Sequence, residues 1–178
     1  MLRFLLYISL VFISSCATQV ISIKKDGSVE LQPNEGFFLL GMESNTSLRQ
    51  ITISGPQNII LTSEDLRRGA SYLLVNLPAG TYTIDRIFFN YSYRMSLRDS
   101  DKWKFRISSN KVTYIGHFEL AVKRRGGWPV AYTELVNRSS EALEIMEKNY
   151  PIIFQNNSMS YGGPGRDDFI DYITRKEG

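Results

Sequence analysis

The chain of 178 residues holds a single cysteine, Cys16, and cannot close a disulfide within itself. A fold without that staple rests on apolar packing and backbone hydrogen bonding. The supply is adequate, with ten Tyr, ten Phe and two Trp and a hydrophobic share of 43%. Charge excludes one class of partner. With 21 Lys+Arg against 18 Asp+Glu, the chain lacks the basic footprint of a nucleic-acid-binding domain, and nucleic acid is set aside.

Hydrophobic patterning reads mostly as strands. Val20–Ile23 and Val29–Leu31 are short β-type runs around the turn signal Lys25-Asp26-Gly27. Gly36–Met42 is a continuous apolar run that suits a strand buried on both faces, and Arg49–Ser54 alternates, with Ile51 and Ile53 on one side. Ser63–Gly69 has the acids-first, bases-last order of one helical turn capped by Ser63. The clearest hairpin runs from Tyr72–Leu77 through Pro78-Ala79-Gly80 into Thr81–Phe89. Residues 90–102 read as a polar loop. Lys104–Ile107 and Val112–Leu120 read as a second hairpin around 108–111, with Val112, Tyr114, Phe118 and Leu120 on one face. Trp128–Val136 supplies a further strand after the basic turn Lys123–Gly127. Ser139 or Ser140 caps a helix with Leu143, Met146 and Tyr150 as its apolar stripe, and Pro151 ends it. The expectation is a mainly β protein: an antiparallel β-sandwich of about six to eight strands with one short α-helix near residues 140–149. Residues 16–154 form its single domain, and the Gly/Asn-rich stretch 155–178 reads as a flexible tail, with at most a short helix at 169–173.

The N-terminus reads as an export signal. Arg3 precedes a short apolar run, Phe4–Ile13, about half the roughly 20 residues a membrane-crossing helix needs. Ile13-Ser14-Ser15-Cys16 resembles the bacterial lipobox: an aliphatic residue, two small residues, and the cysteine that becomes the mature N-terminus. The resemblance implies cleavage before Cys16, a diacylglyceryl group on its sulfur and an N-acyl chain such as palmitate. Two or three acyl chains suffice for stable anchoring. Ala17 stands where an Asp would resemble an inner-membrane retention signal, so the outer membrane is the expected location in a host with two.

Leu77-Pro-Ala-Gly-Thr-Tyr-Thr-Ile84 resembles the LPPGxYxI hairpin of immunoglobulin-like and prealbumin-like β-sandwiches. Lys111–Leu120, with its Tyr-Ile-Gly, resembles a strand found in small bacterial envelope lipoproteins of unknown function, and Asn149-Tyr150-Pro151 resembles the helix end of those proteins. The likeness spans about residues 37–151 and implies a fold and an envelope location. It brings no catalytic residues.

No enzyme is expected, and no cofactor beyond the lipid on Cys16. His117, the only histidine, reads as a structural strand residue, and one histidine with a lipid-capped cysteine makes no metal set. Glu64-Asp65 and Asp167-Asp168 are adjacent acids, whereas glycoside hydrolysis needs two carboxyls facing each other about 5–9 Å apart. Gly162-Gly163-Pro164-Gly165 lacks the Lys-Ser/Thr of a phosphate loop. Lys123, Arg124 and Arg125 beside Trp128 form the one candidate ligand or anion site, suited to lipid headgroups or acidic cell-wall polymer. The plainer reading, a solvated hairpin tip whose charges discourage edge pairing, carries more weight. Trp103, Trp128, Tyr91 and Tyr93 could form a sugar-stacking platform, but core or loop anchoring is the weightier reading. The leading expectation is a lipid-anchored, non-enzymatic component that engages another envelope protein. The alternative is a binding module for cell-wall glycan or anionic lipid headgroups.

Overall fold

A computed structural model describes residues 17–98 and 100–176, so the lipobox residues Ile13, Ser14, Ser15 and Cys16 lie outside the described residues. In chain order the strands are β1 (Thr18–Gln19), β2 (Glu35–Ser44), β3 (Gln50–Ser54), β4 (Ile59–Thr62), β5 (Gly69–Pro78) and β6 (Gly80–Phe88). They continue with β7 (Arg94–Ser96), β8 (Lys104–Ile107), β9 (Val112–Arg125), β10 (Trp128–Val136) and β11 (Met159–Tyr161). The helices are α1 (Ser139–Asn149), α2 (Pro151–Asn156) and α3 (Asp168–Lys176). One sheet has the order β1-β4-β3-β6-β7, with β8 also on β6. The other has the order β10-β9-β2-β5, with β11 also on β9.

The sheets pack face to face as a sandwich. Between them lie Phe38, Leu40 and Met42 of β2, Ile51 and Ile53 of β3, Tyr82 and Ile84 of β6, Phe105, and Phe118. Tyr82 stacks on Phe105 with ring centroids 5.6 Å apart, and its hydroxyl donates to the Pro78 carbonyl at 2.9 Å across the expected turn. Trp103 is buried here against Phe118, at 5.7 Å, so it is a core residue. A third layer lies on the outer side of the second sheet. There Phe37 and Leu39 of β2, Leu74 of β5 and Tyr114 of β9 meet Ala142 and Met146 of α1, with Tyr150, Ile153, Met159 and Ile170. The run Gly36–Met42 is therefore buried on both faces, as its continuous hydrophobicity requires.

Several expectations change. The tail is packed: β11 pairs in parallel with Val112–Tyr114, and Ile170 of α3 is buried in the third layer. Neither expected hairpin forms. β5 pairs with β2 in the second sheet and β6 with β3, β7 and β8 in the first, so Pro78-Ala79-Gly80 is a corner between sheets. β8 pairs with β6 in one sheet, and β9 with β2 and β10 in the other, so residues 108–111 cross between sheets. The pairing is mixed, because β2 and β9 run parallel. Val20–Ile23 and Val29–Leu31 are not strands; the N-terminal strand is Thr18–Gln19. Ser63 begins a turn closed by Leu66 N–H donating to Thr62 O, not a helix. At α1 the capping oxygen comes from Asn137, which accepts from the Ser139 amide at 3.0 Å.

The four-residue face predicted for β9 also breaks. The register runs Leu39↔Tyr114 and then Gly41↔His117, one extra residue on β9. Gly116 lies at this bulge with φ +121°, a conformation that side-chain-bearing residues rarely adopt. Val112 and Tyr114 therefore face the helices, whereas Phe118 and Leu120 face the other sheet. A Cβ at Gly116 would meet Leu135 Cγ at 2.9 Å. Gly116→Ala is expected to cost about 2 kcal/mol from backbone strain and the clash. Gly27→Ala, with open space around it, should be nearly neutral. Urea denaturation of both variants checks the contrast.

Candidate functional site

Past the bulge the outward residues of the second sheet turn polar, and the helices stop. Gly41 and Glu43 of β2 stand beside His117 and Glu119 of β9, and Tyr72 follows on β5. His117 is 1% exposed, and neither ring nitrogen has a hydrogen-bond partner among the described residues. Its ring fills the space that a side chain at Gly41 would need and meets Tyr72 edge-on at 5.5 Å. Burial pushes the imidazole below its ordinary value and Arg138 adds to the push, while Glu141, Glu119 and Glu43 oppose it. Burial likewise pushes the Tyr72 hydroxyl up to about 12, with Glu141 beside it contributing. Sealed in this way, the His117 ring packs against Gly41 and Tyr72.

Arg138 closes this polar layer. Its guanidinium reaches Glu119 at 2.5 Å, Glu43 at 3.3 Å and Glu141 at 3.7 Å, and its backbone amide donates to the Tyr114 hydroxyl. These carboxylates are solvent-exposed, so the network is worth little as stability and more as shape. It forms one wall of an open groove of about 610 Å³, floored by Ala70 and Ala121 and bordered by Tyr132 and Glu134.

Beyond the groove β9 and β10 continue as a two-stranded arm. Asn45 supports its base like a strand residue, donating to Val122 O at 3.0 Å and accepting from Val122 N at 2.9 Å. The tip is Gly126-Gly127, both at positive φ (58° and 85°), the conformation of a tight hairpin turn whose twist matches its strands. Register sets the faces: Trp128 lies opposite Arg125, Val130 opposite Lys123 and Tyr132 opposite Ala121. All six share the outer face that carries Glu119. Arg124, opposite Pro129, belongs to the other face.

The candidate set Lys123, Arg124, Arg125 and Trp128 is thus brought together at the tip and divided by the pleat. Trp128 is 74% exposed and Tyr132 49%. Lys123 Nζ stands 5.8 Å from the Tyr132 ring centroid. Sequence reading missed Tyr132, because only the register shows that it shares a face with Trp128. Tyr91 and Tyr93 are also exposed at this end but lie in the loop between β6 and β7 of the first sheet, with Arg49 over the Tyr91 ring at 4.2 Å. Tyr93 lines a separate hollow of about 460 Å³ with Phe89, Arg94 and Pro129.

The acid pairs have local roles. Asp65 is buried, accepts from the Ser22 amide at 3.0 Å and pairs with Lys24. Asp167 caps α3 by accepting from the Phe169 and Ile170 amides at 2.9 and 3.0 Å, and Asn137 donates to it. Among the described residues no group of three or more His, Cys, Asp or Glu is arranged to hold a metal ion, and no helix is long and apolar enough to cross a membrane.

The pH dependence of stability follows from His117. Its folded pKa lies below the unfolded value, so the unfolded chain takes the proton first. The contribution is complete above roughly pH 6.5 and is lost as pH falls towards the depressed folded value. His117→Leu is expected to flatten the decline of the melting temperature between about pH 7 and about pH 5. Thermal melts across that window check it; an unchanged slope would assign the decline to other groups. Scans of protein-family models and searches of curated proteins and solved structures find no match to the chain.

Proposed function

We propose that this chain is a lipid-anchored, non-enzymatic protein of the bacterial cell envelope that works by binding, with its working surface at the end of the sandwich away from the anchor. The observation that carries the reading is the separation of the two ends. β1 begins two residues after Cys16 and pairs with the start of β4, at the end of the first sheet where β6 also begins. β9 runs the other way from that end, and its 14 residues carry the arm roughly 45 Å from where it begins. Lipid on Cys16 therefore holds one end at a membrane while the arm points away from it.

Two kinds of counterpart were expected, an envelope protein or a ligand such as cell-wall glycan or lipid headgroups. Trp128 and Tyr132, exposed together on one sheet face, favour the ligand-binding module. Headgroups of the anchoring membrane fit poorly, because they lie at the opposite end. The kinship with small envelope lipoproteins remains part of the proposal, as does the outer membrane as the location in a host with two.

Labelling native cells with a palmitate analogue and fractionating them tests the anchor. The wild-type chain is expected to take up label and partition with membranes, and Cys16→Ser to lose both. Wild-type chain free of label and recovered in the soluble fraction would overturn the reading.

A further inference from the structure

We infer that the outer face of the β9–β10 arm is a platform for a carboxylate-bearing glycan, in which Trp128 and Tyr132 stack on sugar rings while Lys123 and Arg125 pair with acid groups. The inference deepens the binding-module reading and rests on it for its setting, not for its geometry.

Four observations converge on this face. Trp128 and Tyr132 are four residues apart on one strand, hence roughly 13 Å apart on the same side, a spacing that suits an extended chain and exceeds a single small ligand. Lys123 and Arg125 lie opposite Val130 and Trp128, so cations alternate with rings along the line the chain would follow. The surrounding end is basic. Segments 45–49, 63–68, 89–93 and 123–128 carry Arg49, Arg67, Arg68, Lys123, Arg124 and Arg125 against Glu64 and Asp65, and Asp65 is already bound by Lys24. Finally, the Gly126-Gly127 turn and the Asn45 clamp hold the arm in its twisted form before any ligand arrives, which lowers the ordering cost of binding.

The arm differs from the fully buried centre of a protein interface, which is more apolar and depleted in charge. Here the rings are isolated from each other by half-buried Val130 and flanked by cations. A glycan needs no such centre, because its sugars present C–H faces to the rings while carboxylates carried along the polymer pair with the cations. At the inner end of the platform Glu134 lies opposite Glu119, whose carboxylate is already held by Arg138.

The test uses the mature chain from residue 16 carrying Cys16→Ser, so it is independent of anchoring. Purified peptidoglycan sacculi, sacculi with their carboxylates amidated, and phosphatidylglycerol vesicles are each sedimented with it. Wild-type protein is expected to sediment with native sacculi, and less with amidated ones. Trp128→Ala and Tyr132→Ala should each weaken binding about tenfold, and Lys123→Glu with Arg125→Glu should abolish it. Arg124→Glu, on the other face, should retain it within about twofold. Matching circular dichroism melts establish that the variants are folded. Failure to bind native sacculi, binding indifferent to both aromatic substitutions, equal loss with Arg124→Glu, or binding to vesicles alone would overturn the assignment.

Discussion

The extra residue in β9 at Gly116 governs the rest of the molecule. Without it, one unbroken alternation would carry Tyr114, Phe118 and Leu120 to a single face, and the strand could not be apolar towards the helices at its start and towards the other sheet further on. With it, the outer face is apolar up to Tyr114 and polar from His117 onward. α1 and α3 settle on the first part because that is where apolar surface can be buried. They leave the sheet beyond His117 uncovered, and the groove and the arm are what remains of it there. A single glycine conformation thus separates a structural half of the sheet from a displayed half.

The N-terminal segment stitches the layers together. Asp65, at the edge of the first sheet, accepts from the Ser22 amide and holds Lys24. Ile23 then donates to Leu74 O in the second sheet and accepts from the Tyr150 hydroxyl. Asp26 finishes the run by accepting from the first amides of α2, Ile152 and Ile153, at 2.7 and 3.1 Å. Residues 20–26 make little regular structure, yet they tie both sheets to the helical layer through charged and backbone hydrogen bonds.

The legible parts of the sequence were those in which a local pattern suffices. The alternation of Arg49–Ser54 follows from a period of two, and the two-sided burial of Gly36–Met42 from a continuous apolar run. The strands flanking 78–80 and those flanking 108–111 were found but wrongly joined as hairpins, because a short turn reads the same whether it returns along a sheet or crosses to another. Polar residues hid the tail: Asp167, Asn137 and Ser160 look solvated until their partners are known, and Met159 and Ile170 are too widely spaced to form a periodic signal. Of the candidate site, the basic run and Trp128 were readable as a cluster. The exclusion of Arg124 and the inclusion of Tyr132 were not, because both depend on register, which is a long-range property.

Edge protection accounts for part of the arm but not for all of it. A two-stranded ribbon beyond the body of a sheet is marginal in water and exposes backbone that invites pairing, and Lys123, Arg124 and Arg125 counter that hazard. Charge alone would do so, and more cheaply with polar neighbours. Leaving Trp128 three-quarters exposed at the outermost turn works against the same end, since a bare ring next to an open edge promotes association. Trp103 shows that the fold can bury an indole where packing calls for one. A side chain that neither supports the core nor protects the edge, presented on a stiff hairpin among cations, is what the proposed glycan platform requires.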